Sequence, residues 1–229
     1  MKYQNITGGE WIRRINRFVA EVRIGGQTER VHVKNTGRLK ELLVPGARVV
    51  LEVSHNPERK TGYSLIAVQK NGQWVNVDSQ APNTVVYEAL KNGQIREFPL
   101  PRLVRREAVF GDSRFDLYFE GEDQKGFIEV KGVTLERDGI ALFPDAPTAR
   151  GTKHILEVAK AVQAGYTGAV FFLVQMKGCH AFSPNESMDQ PFADALKQAA
   201  KAGVRILAYD SIVTGDEIVI GQPLKVRLG

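Results

Sequence analysis

The sequence is poor in cysteine, with Cys179 as the only one among 229 residues. It can therefore form no intramolecular disulfide and no zinc site built on several cysteines. The longest strongly apolar stretch, residues 168–176, is too short to span a bilayer. The first eleven residues also lack the apolar core of a signal peptide. These absences lead us to expect a soluble, cytoplasmic protein with no membrane partner.

The composition is that of an ordinary globular protein, with 43% apolar and 25% charged residues. The length of 229 residues is comfortable for two small domains. We find no helix-turn-helix pattern and no zinc finger, so the sequence does not support operator-type reading of the DNA major groove.

The net charge of +5 is unevenly distributed along the chain. Residues 1–82 carry a net charge of +6, whereas residues 83–229 carry −1. A first half that binds a polyanion would produce this asymmetry. A basic face that is merely solvated would also produce it.

The first half has the pattern of a small barrel. Short β-rich segments at residues 17–24, 30–33, 48–54, 63–69 and 74–78 are separated by turns rich in Gly, Asn and Pro. A short helix is predicted over residues 38–43. We therefore predict an OB-like β-barrel in a domain formed by residues 1–82.

The second half alternates helices and strands. Helices are predicted over residues 84–91, 152–164 and 191–202, with Asn83 as the N-cap of the first. Strands are predicted over residues 103–110, 114–120, 127–135, 169–175 and 204–209. This order predicts a mixed α/β sheet in a second domain, residues 83–229, and an α/β class for the whole chain.

Two neighbouring strands of this second domain carry charged residues on one face. Alternation places Phe115, Leu117 and Phe119 on one side and Asp116 on the other, and it places Glu129 and Lys131 together. A hairpin turn centred between residues 123 and 124 would set Asp116 opposite Lys131, with Glu129 as its diagonal neighbour.

Two converging carboxylates are hard-oxygen ligands that suit Mg²⁺ or Mn²⁺, and such ions seek phosphate oxygens. A lysine beside them can stabilise charge that develops on a phosphate. The sequence therefore indicates a metal site for phosphodiester chemistry. The alternative is a structural ion pair on the surface of a sheet.

The arrangement of Asp116, Glu129 and Lys131 resembles the PD-(D/E)XK nuclease motif. The whole chain resembles the sugar fermentation stimulation protein (SfsA) family. The matching segments are RINRF at 14–18, NTGR at 35–38, RKT at 59–61, GDSRFD at 111–116, EVKGVTL at 129–135 and FPDAPTARGTKH at 143–154, together with residues 203–204 and 208–209.

The resemblance implies an N-terminal OB-like domain, a C-terminal PD-(D/E)XK-like domain, DNA binding and a role in regulating sugar (maltose) metabolism. It also implies that Asp116 and Glu129 bind the metal and that Lys131 is catalytic. Such nucleases often add a glutamate from the first core helix, which would be Glu88. Glu107 is a second candidate for that position.

Basic residues are candidates for contact with the DNA phosphate backbone. In the first half these are Arg13, Arg14, Arg17, Lys34, Arg38, Arg59 and Lys60; in the second half they are Arg114, Arg150, Lys153 and His154. The last three lie at the predicted start of a helix, where backbone N–H groups attract anions. Trp11, Phe18, Tyr63 and Trp74 are either stacking platforms for unpaired bases or core residues.

The sequence thus favours a DNA-binding protein with a nuclease-like site that depends on Mg²⁺ or Mn²⁺. One alternative is a transcriptional regulator that binds DNA without cleaving it. Another is a barrel that binds a carbohydrate and acts as a sugar sensor, which the positive first half disfavours.

Overall fold

The structure is a computed structural model that describes residues 1–56 and 58–229. Within these residues the chain forms three helices and sixteen strands. No helix in these two segments is both long enough and apolar enough to cross a membrane. A β-barrel comes first, and a larger α/β unit follows it.

The barrel is built from β1 (Ile6–Arg14), β2 (Val19–Ile24), β3 (Gln27–Val33), β4 (Arg48–Val53) and β5 (Tyr63–Lys70). β1 pairs with both β2 and β4, β2 pairs with β3, and β4 pairs with β5, all antiparallel. A parallel pairing of β3 with β5 closes the ring. β6 (Gln73–Asn76) extends the sheet beyond β5. The predicted OB-like barrel is confirmed.

Two local predictions for the barrel were wrong. β1 was not predicted, because Gly8 and Gly9 interrupt its apolar pattern and resemble a turn. Gly9 is in fact required for packing, since a Cβ there would lie 2.6 Å from Val22 Cγ1 on the neighbouring strand. The helix predicted over residues 38–43 is only a turn, in which the N–H groups of Leu42 and Leu43 bond to the carbonyl of Leu39.

The α/β unit has a six-stranded mixed sheet at its centre. Its members are β7 (Leu103–Phe110), β8 (Ser113–Glu120), β9 (Lys125–Val133), β12 (Thr167–Val174), β14 (Arg205–Val213) and β15 (Ile218–Pro223), in the order β15-β14-β12-β9-β8-β7. β9, β12 and β14 run parallel to one another. β7, β8 and β15 are antiparallel to their neighbours. The predicted mixed sheet is confirmed.

Helices cover both faces of this sheet. α1 (Ala81–Lys91) packs its Val86 and Leu90 with Ile128 and Phe171. The other face is covered by α2 (Ala149–Gln163) and α3 (Gln190–Lys201), whose apolar residues pack with the opposite side of β12. The central strands are buried on both sides, which explains the near-continuous apolar run of β12.

A second, four-stranded sheet was not predicted from the sequence. It is formed by β10 (Leu135–Arg137), β11 (Ile140–Phe143), β13 (Ala181–Pro184) and β16 (Lys225–Val226). These strands are two to four residues long. Segments this short carry too little periodicity to be distinguished from loops.

A buried polar network joins the barrel to the α/β unit. Gln175, after β12, donates to Asn76 Oδ1 at 2.8 Å, and Asn76 donates to the hydroxyl of Tyr3 at 2.9 Å. Asp78 is fully buried beside them and accepts a hydrogen bond from Lys34 at 2.7 Å. Because every member of this network has a partner, it holds the two units in a defined arrangement.

Candidate metal and nucleic-acid site

The hairpin of β8 and β9 differs from the predicted register by two residues. Leu117 pairs with Ile128 and Glu120 pairs with Lys125, so the turn is centred between residues 122 and 123. The pairing ends at Leu117, and at the next residue the backbone N–H of Val130 donates to the side chain of Asp116. The predicted pairing of Asp116 with Lys131, which needs the other register, was wrong, although a shift of two residues does not by itself move a side chain to the other face.

The simple alternation predicted for β8 also breaks at Asp116. Leu117 and Phe119 pack in the cluster beneath α1, whereas Phe115 packs on the other side with Phe110 and Phe127. Glu107, which faces this position on β7, has a positive φ of 54°. Asp116 thus lies where the paired strands β7 and β8 change the faces that they bury.

Two polar groups hold the Asp116 carboxylate in the sheet. Asn83 Nδ2 donates to its Oδ1 at 2.7 Å, and the backbone N–H of Val130 donates to its Oδ2 at 2.8 Å. Burial, and then the neighbouring Glu129 carboxylate, raise the pKa of Asp116 above its usual value. The charged form of Asp116 therefore gains from any cation that binds beside it.

Glu129 is 2% exposed, and within the described residues only one of its two oxygens has a partner. Its Oε1 accepts hydrogen bonds from Lys131 Nζ at 2.6 Å and from His154 Nδ1 at 2.5 Å. Its Oε2 has no hydrogen-bond partner among the residues that the structure describes. A buried carboxylate oxygen without a partner is costly, so Oε2 is the atom of Glu129 that a bound cation could satisfy.

The structure brings Asn83 and His154 to this cluster, although neither was predicted there. Asn83 is not the N-cap of α1, because the helix begins at Ala81 and Gln80 occupies the cap position. His154 was predicted to contact DNA but instead binds Glu129. No sequence signal distinguished Asn83 from a capping residue.

Glu88 is not brought to the cluster. Its carboxylate pairs with the N-terminal ammonium of Met1 at 2.8 Å. It lies five residues after Asn83, and this separation turns its side chain onto a different part of the α1 surface. The predicted third carboxylate from α1 is therefore replaced by the amide of Asn83.

The residues present fit a hard divalent cation. Asp116 and Glu129 supply carboxylate oxygens, and Glu129 Oε2 is the free one. No cluster of three or more His, Cys, Asp or Glu side chains suited to a metal occurs in residues 1–56 and 58–229. Mg²⁺ commonly takes one or two carboxylates and completes its shell with water and phosphate, so two carboxylates suffice.

Two basic residues predicted to contact DNA in the barrel are used inside the protein instead. Lys34 pairs with Asp78 at 2.7 Å and is 16% exposed. The guanidinium of Arg14 donates to several backbone carbonyls, among them those of Asn35 and Gly37 at 2.5 Å. Both side chains therefore have partners within the protein, and their contact with a phosphate backbone stays a prediction.

The other basic residues of the barrel remain on its surface. Arg17, Arg38 and Lys60 are exposed. Arg13 pairs with Glu21 at 2.7 Å, and Arg59 donates to Ser64 Oγ at 3.1 Å. Among these predicted residues, Arg17 lies in the β1–β2 connection, Arg38 in the β3–β4 connection and Lys60 in the β4–β5 connection.

In the α/β unit, Arg150 and Lys153 are exposed in the first turns of α2. Thr148 caps this helix by accepting a hydrogen bond from the N–H of Gly151 at 3.1 Å. His154, one turn later than Arg150, reaches Glu129, so the start of α2 adjoins the carboxylate cluster. Arg114 pairs with Glu107 at 3.3 Å on the exposed edge of the sheet.

Two family models match the chain. The model described as the SfsA N-terminal OB domain matches residues 12–77, and the Sugar fermentation stimulation protein RE domain matches residues 80–217. These matches agree with β6 ending at Asn76 and α1 beginning at Ala81.

Relatives match over the full length. A sugar fermentation stimulation protein homolog of Alkaliphilus oremlandii is 52% identical over 99% of this chain and 98% of its own. One of Desulfitobacterium hafniense strain Y51 is 50% identical over 100% of this chain and 99% of its own. The solved structure of Pyrococcus furiosus SfsA in complex with Ca²⁺ is 29% identical and superposes with a TM-score of 0.90, covering 99% and 98% of the two chains. The chain therefore belongs to the sugar fermentation stimulation protein family.

Proposed function

We propose that this protein binds DNA and hydrolyses a phosphodiester bond with Mg²⁺ or Mn²⁺ in a PD-(D/E)XK-like site formed by Asp116, Glu129 and Lys131. The observation that carries the proposal is the buried Oε2 of Glu129, which has no partner within the described residues. A structural ion pair would leave no such atom, because its cost is avoided when both oxygens are satisfied.

Asp116 and Glu129 would hold the cation. When bound, such a cation polarises the phosphodiester and makes water a better nucleophile at neutral pH. A relative of known structure, Pyrococcus furiosus SfsA, was solved in complex with Ca²⁺. That complex supports a divalent-cation site in the family.

The protein residues supply orientation and charge. Asn83 and the Val130 N–H fix the Asp116 carboxylate in the sheet. His154 and Lys131 both bind Oε1 of Glu129, which leaves Oε2 directed at the ligand. With substrate bound, the Lys131 ammonium beside Glu129 would stabilise negative charge on the phosphate oxygens.

DNA would reach this site along the basic surface of the chain. The barrel carries the positive charge excess, and barrels of this class commonly bind nucleic acids. Arg150 and Lys153 lie at the N-terminal end of α2, where exposed N–H groups and the helix dipole favour phosphate. A link of this DNA chemistry to sugar metabolism is part of the proposal, in line with the family name.

The test is a titration of Mg²⁺ and Mn²⁺ with labelled single-stranded, duplex and branched DNA. Lys131→Ala should abolish cleavage with little loss of DNA affinity, since phosphate binding rests mainly on other cations. Lys125→Ala is the matched control, because Lys125 is an exposed lysine at the far end of the same strand. It should cleave like the unmodified chain.

A non-catalytic DNA-binding regulator is the second candidate. It is favoured by the engagement of both Asp116 oxygens and of Lys131 in internal hydrogen bonds. Salt-sensitive DNA binding without cleavage by the unmodified chain or by Lys131→Ala, at any concentration of Mg²⁺ or Mn²⁺, would favour the regulator.

A further inference from the structure

A groove with a volume of about 750 Å³ crosses one side of the barrel. One wall is the end of β1 and the turn after it, residues 11–17, and the other comes from the β3–β4 connection, within residues 36–45. We call this feature the barrel groove. The proposed hydrolytic site in the α/β unit does not account for it.

The barrel groove is lined by side chains of one sign of charge. Arg13, Arg14, Arg17, Arg38 and Lys40 line it, and no Asp or Glu of the described residues does. Arg17, Arg38 and Lys40 are exposed and have no ion-pair partner in the described part of the chain. A concave surface of this kind concentrates positive potential and fits an anionic chain.

Apolar side chains are exposed among these cations. Ile15 is 41% exposed and Val44 is 48% exposed, and both line the barrel groove. Phe18, 49% exposed, directly follows Arg17 in the β1–β2 turn. Unpaired bases would cover these side chains with their flat faces, whereas a duplex keeps its base faces inside the stack.

The walls of the barrel groove are held in place before any ligand binds. The guanidinium of Arg14 donates to the carbonyl of Arg17 in one wall at 2.8 Å and to that of Gly37 in the other at 2.5 Å. Asn16 Oδ1 accepts from the backbone N–H groups of Phe18 and Val19 at 2.9 and 3.0 Å. A prearranged groove loses less conformational entropy when a ligand binds.

The barrel groove also borders the α/β unit. A smaller cavity of about 170 Å³ shares Thr36 and Gly37 with it. The far side of that cavity is formed by residues that include Gly132 of β9 and Asp145, which precedes α2. Gly132 directly follows Lys131 in the chain. Residues 36–37 therefore lie between the barrel groove and the part of the α/β unit that follows Lys131.

We propose that the barrel groove holds a single-stranded segment of DNA. Its bases pack on Ile15, Phe18 and Val44, and its phosphates lie on the exposed cations Arg17, Arg38 and Lys40. The inference rests on the proposed function, because the bound strand would be hydrolysed at the proposed site in the α/β unit. It specifies the form of the substrate, which is DNA with an unpaired segment.

Binding is measured by fluorescence anisotropy on the full chain, in EDTA so that no cleavage occurs. The probes are a labelled oligothymidine of about 12 nucleotides, within the site sizes of OB folds, and a duplex of equal length. The triple variant Ile15→Ala, Phe18→Ala, Val44→Ala should lose at least about fivefold in oligothymidine affinity, the effect of losing one stacked base. Duplex affinity should change less than about twofold, since phosphate contacts remain.

The control is Val109→Ala on β7, whose side chain is 71% exposed far along the chain from the groove. It should leave both affinities unchanged. Arg38→Gln should weaken the binding of both probes. It should also reduce the slope of log affinity against log salt concentration for oligothymidine by about 0.7, the value for one phosphate contact. Lys201→Gln, an exposed lysine at the end of α3, should not.

Equal loss for both probes in the triple variant, or no loss for either, would overturn the proposal. So would thymidine monophosphate that displaces the probe with an inhibition constant equal to the Kd of oligothymidine, since the groove would then hold a single small anion. The two proposals fail separately. If no DNA is cleaved but the triple variant still loses oligothymidine affinity, the hydrolytic function is refuted and the groove proposal stands. If DNA is cleaved but the triple variant keeps its oligothymidine affinity, the groove proposal is refuted and the hydrolytic function stands.

Discussion

Removing the Lys34 ammonium separates a structural role for this residue from a role in DNA binding. Its Nζ lies 2.7 Å from Asp78 Oδ2, and the side chains are 16% and 0% exposed. Replacing Lys34 by Met keeps most of the side-chain volume and leaves the buried Asp78 charge without its main partner. Breaking a buried ion pair costs about 3–5 kcal/mol.

The expected loss is somewhat smaller than that range. Lys34 retains some access to water, and Asp78 keeps a hydrogen bond from the N–H of Gln80 at 2.9 Å. We therefore expect Lys34→Met to lower the free energy of unfolding by about 2–4 kcal/mol. For a chain of this size that lowers Tm by about 4–16 °C. DNA affinity of the folded variant should stay within about twofold, because a buried ammonium contacts no phosphate.

Thermal unfolding and anisotropy on the same samples give the two readouts. Lys40→Met is the matched control, since Lys40 is exposed and should change stability by less than about 0.5 kcal/mol. Adding Asp78→Asn to Lys34→Met should recover part of the lost stability, because the unpaired charge is then removed. The reasoning is refuted if Lys34→Met retains its Tm and loses DNA affinity as Arg38→Gln does.

Three further predictions concern the site and the barrel. Mg²⁺ or Mn²⁺ should raise the Tm of the unmodified chain but not that of Glu129→Gln, since a cation that binds the folded state stabilises it. Because the pKa of Asp116 is raised, protons compete with the cation at a higher pH than they would for an ordinary aspartate. This Tm shift should therefore diminish on acidification above the pH range in which a free aspartate titrates, as differential scanning fluorimetry at stepped pH would show. A shift that persists unchanged into the range of a free aspartate would contradict the assignment. Gly9→Ala should lower the free energy of unfolding by about 1–3 kcal/mol, measured by urea titration, because the new Cβ would meet Val22. An unchanged urea midpoint would show that β1 and β2 move apart enough to avoid this clash at no cost in stability. Arg14→Gln should lower the free energy of unfolding by about 1–3 kcal/mol, because it removes donors from carbonyls in two loops. Faster proteolysis within residues 35–38 would locate the effect. An unchanged free energy of unfolding would show that the Arg14 hydrogen bonds do not stabilise these loops.

The strands and helices that carry strong periodicity were predictable from the sequence. α2, α3 and β12 bury faces wide enough to show as helical spacing or as one continuous apolar run. Asp116, Glu129 and Lys131 could be grouped because side chains alternate along neighbouring strands, and a shift of two residues in register preserves that grouping. The family resemblance depended on motifs in order along the chain, which need no coordinates.

The tertiary structure decided which polar groups meet. Glu88 and Asn83 lie on the same helix, and only the docking angle of α1 on the sheet determines that the amide, and not the carboxylate, reaches Asp116. Lys34 and Arg14 are indistinguishable in sequence from the exposed Arg38, because charge alone does not reveal whether a side chain finds buried acceptors. Gly9 has the sequence pattern of a turn, and its place in a closed barrel follows from contacts with strands that lie far along the chain. These outcomes depend on non-local packing, which local composition and periodicity do not encode.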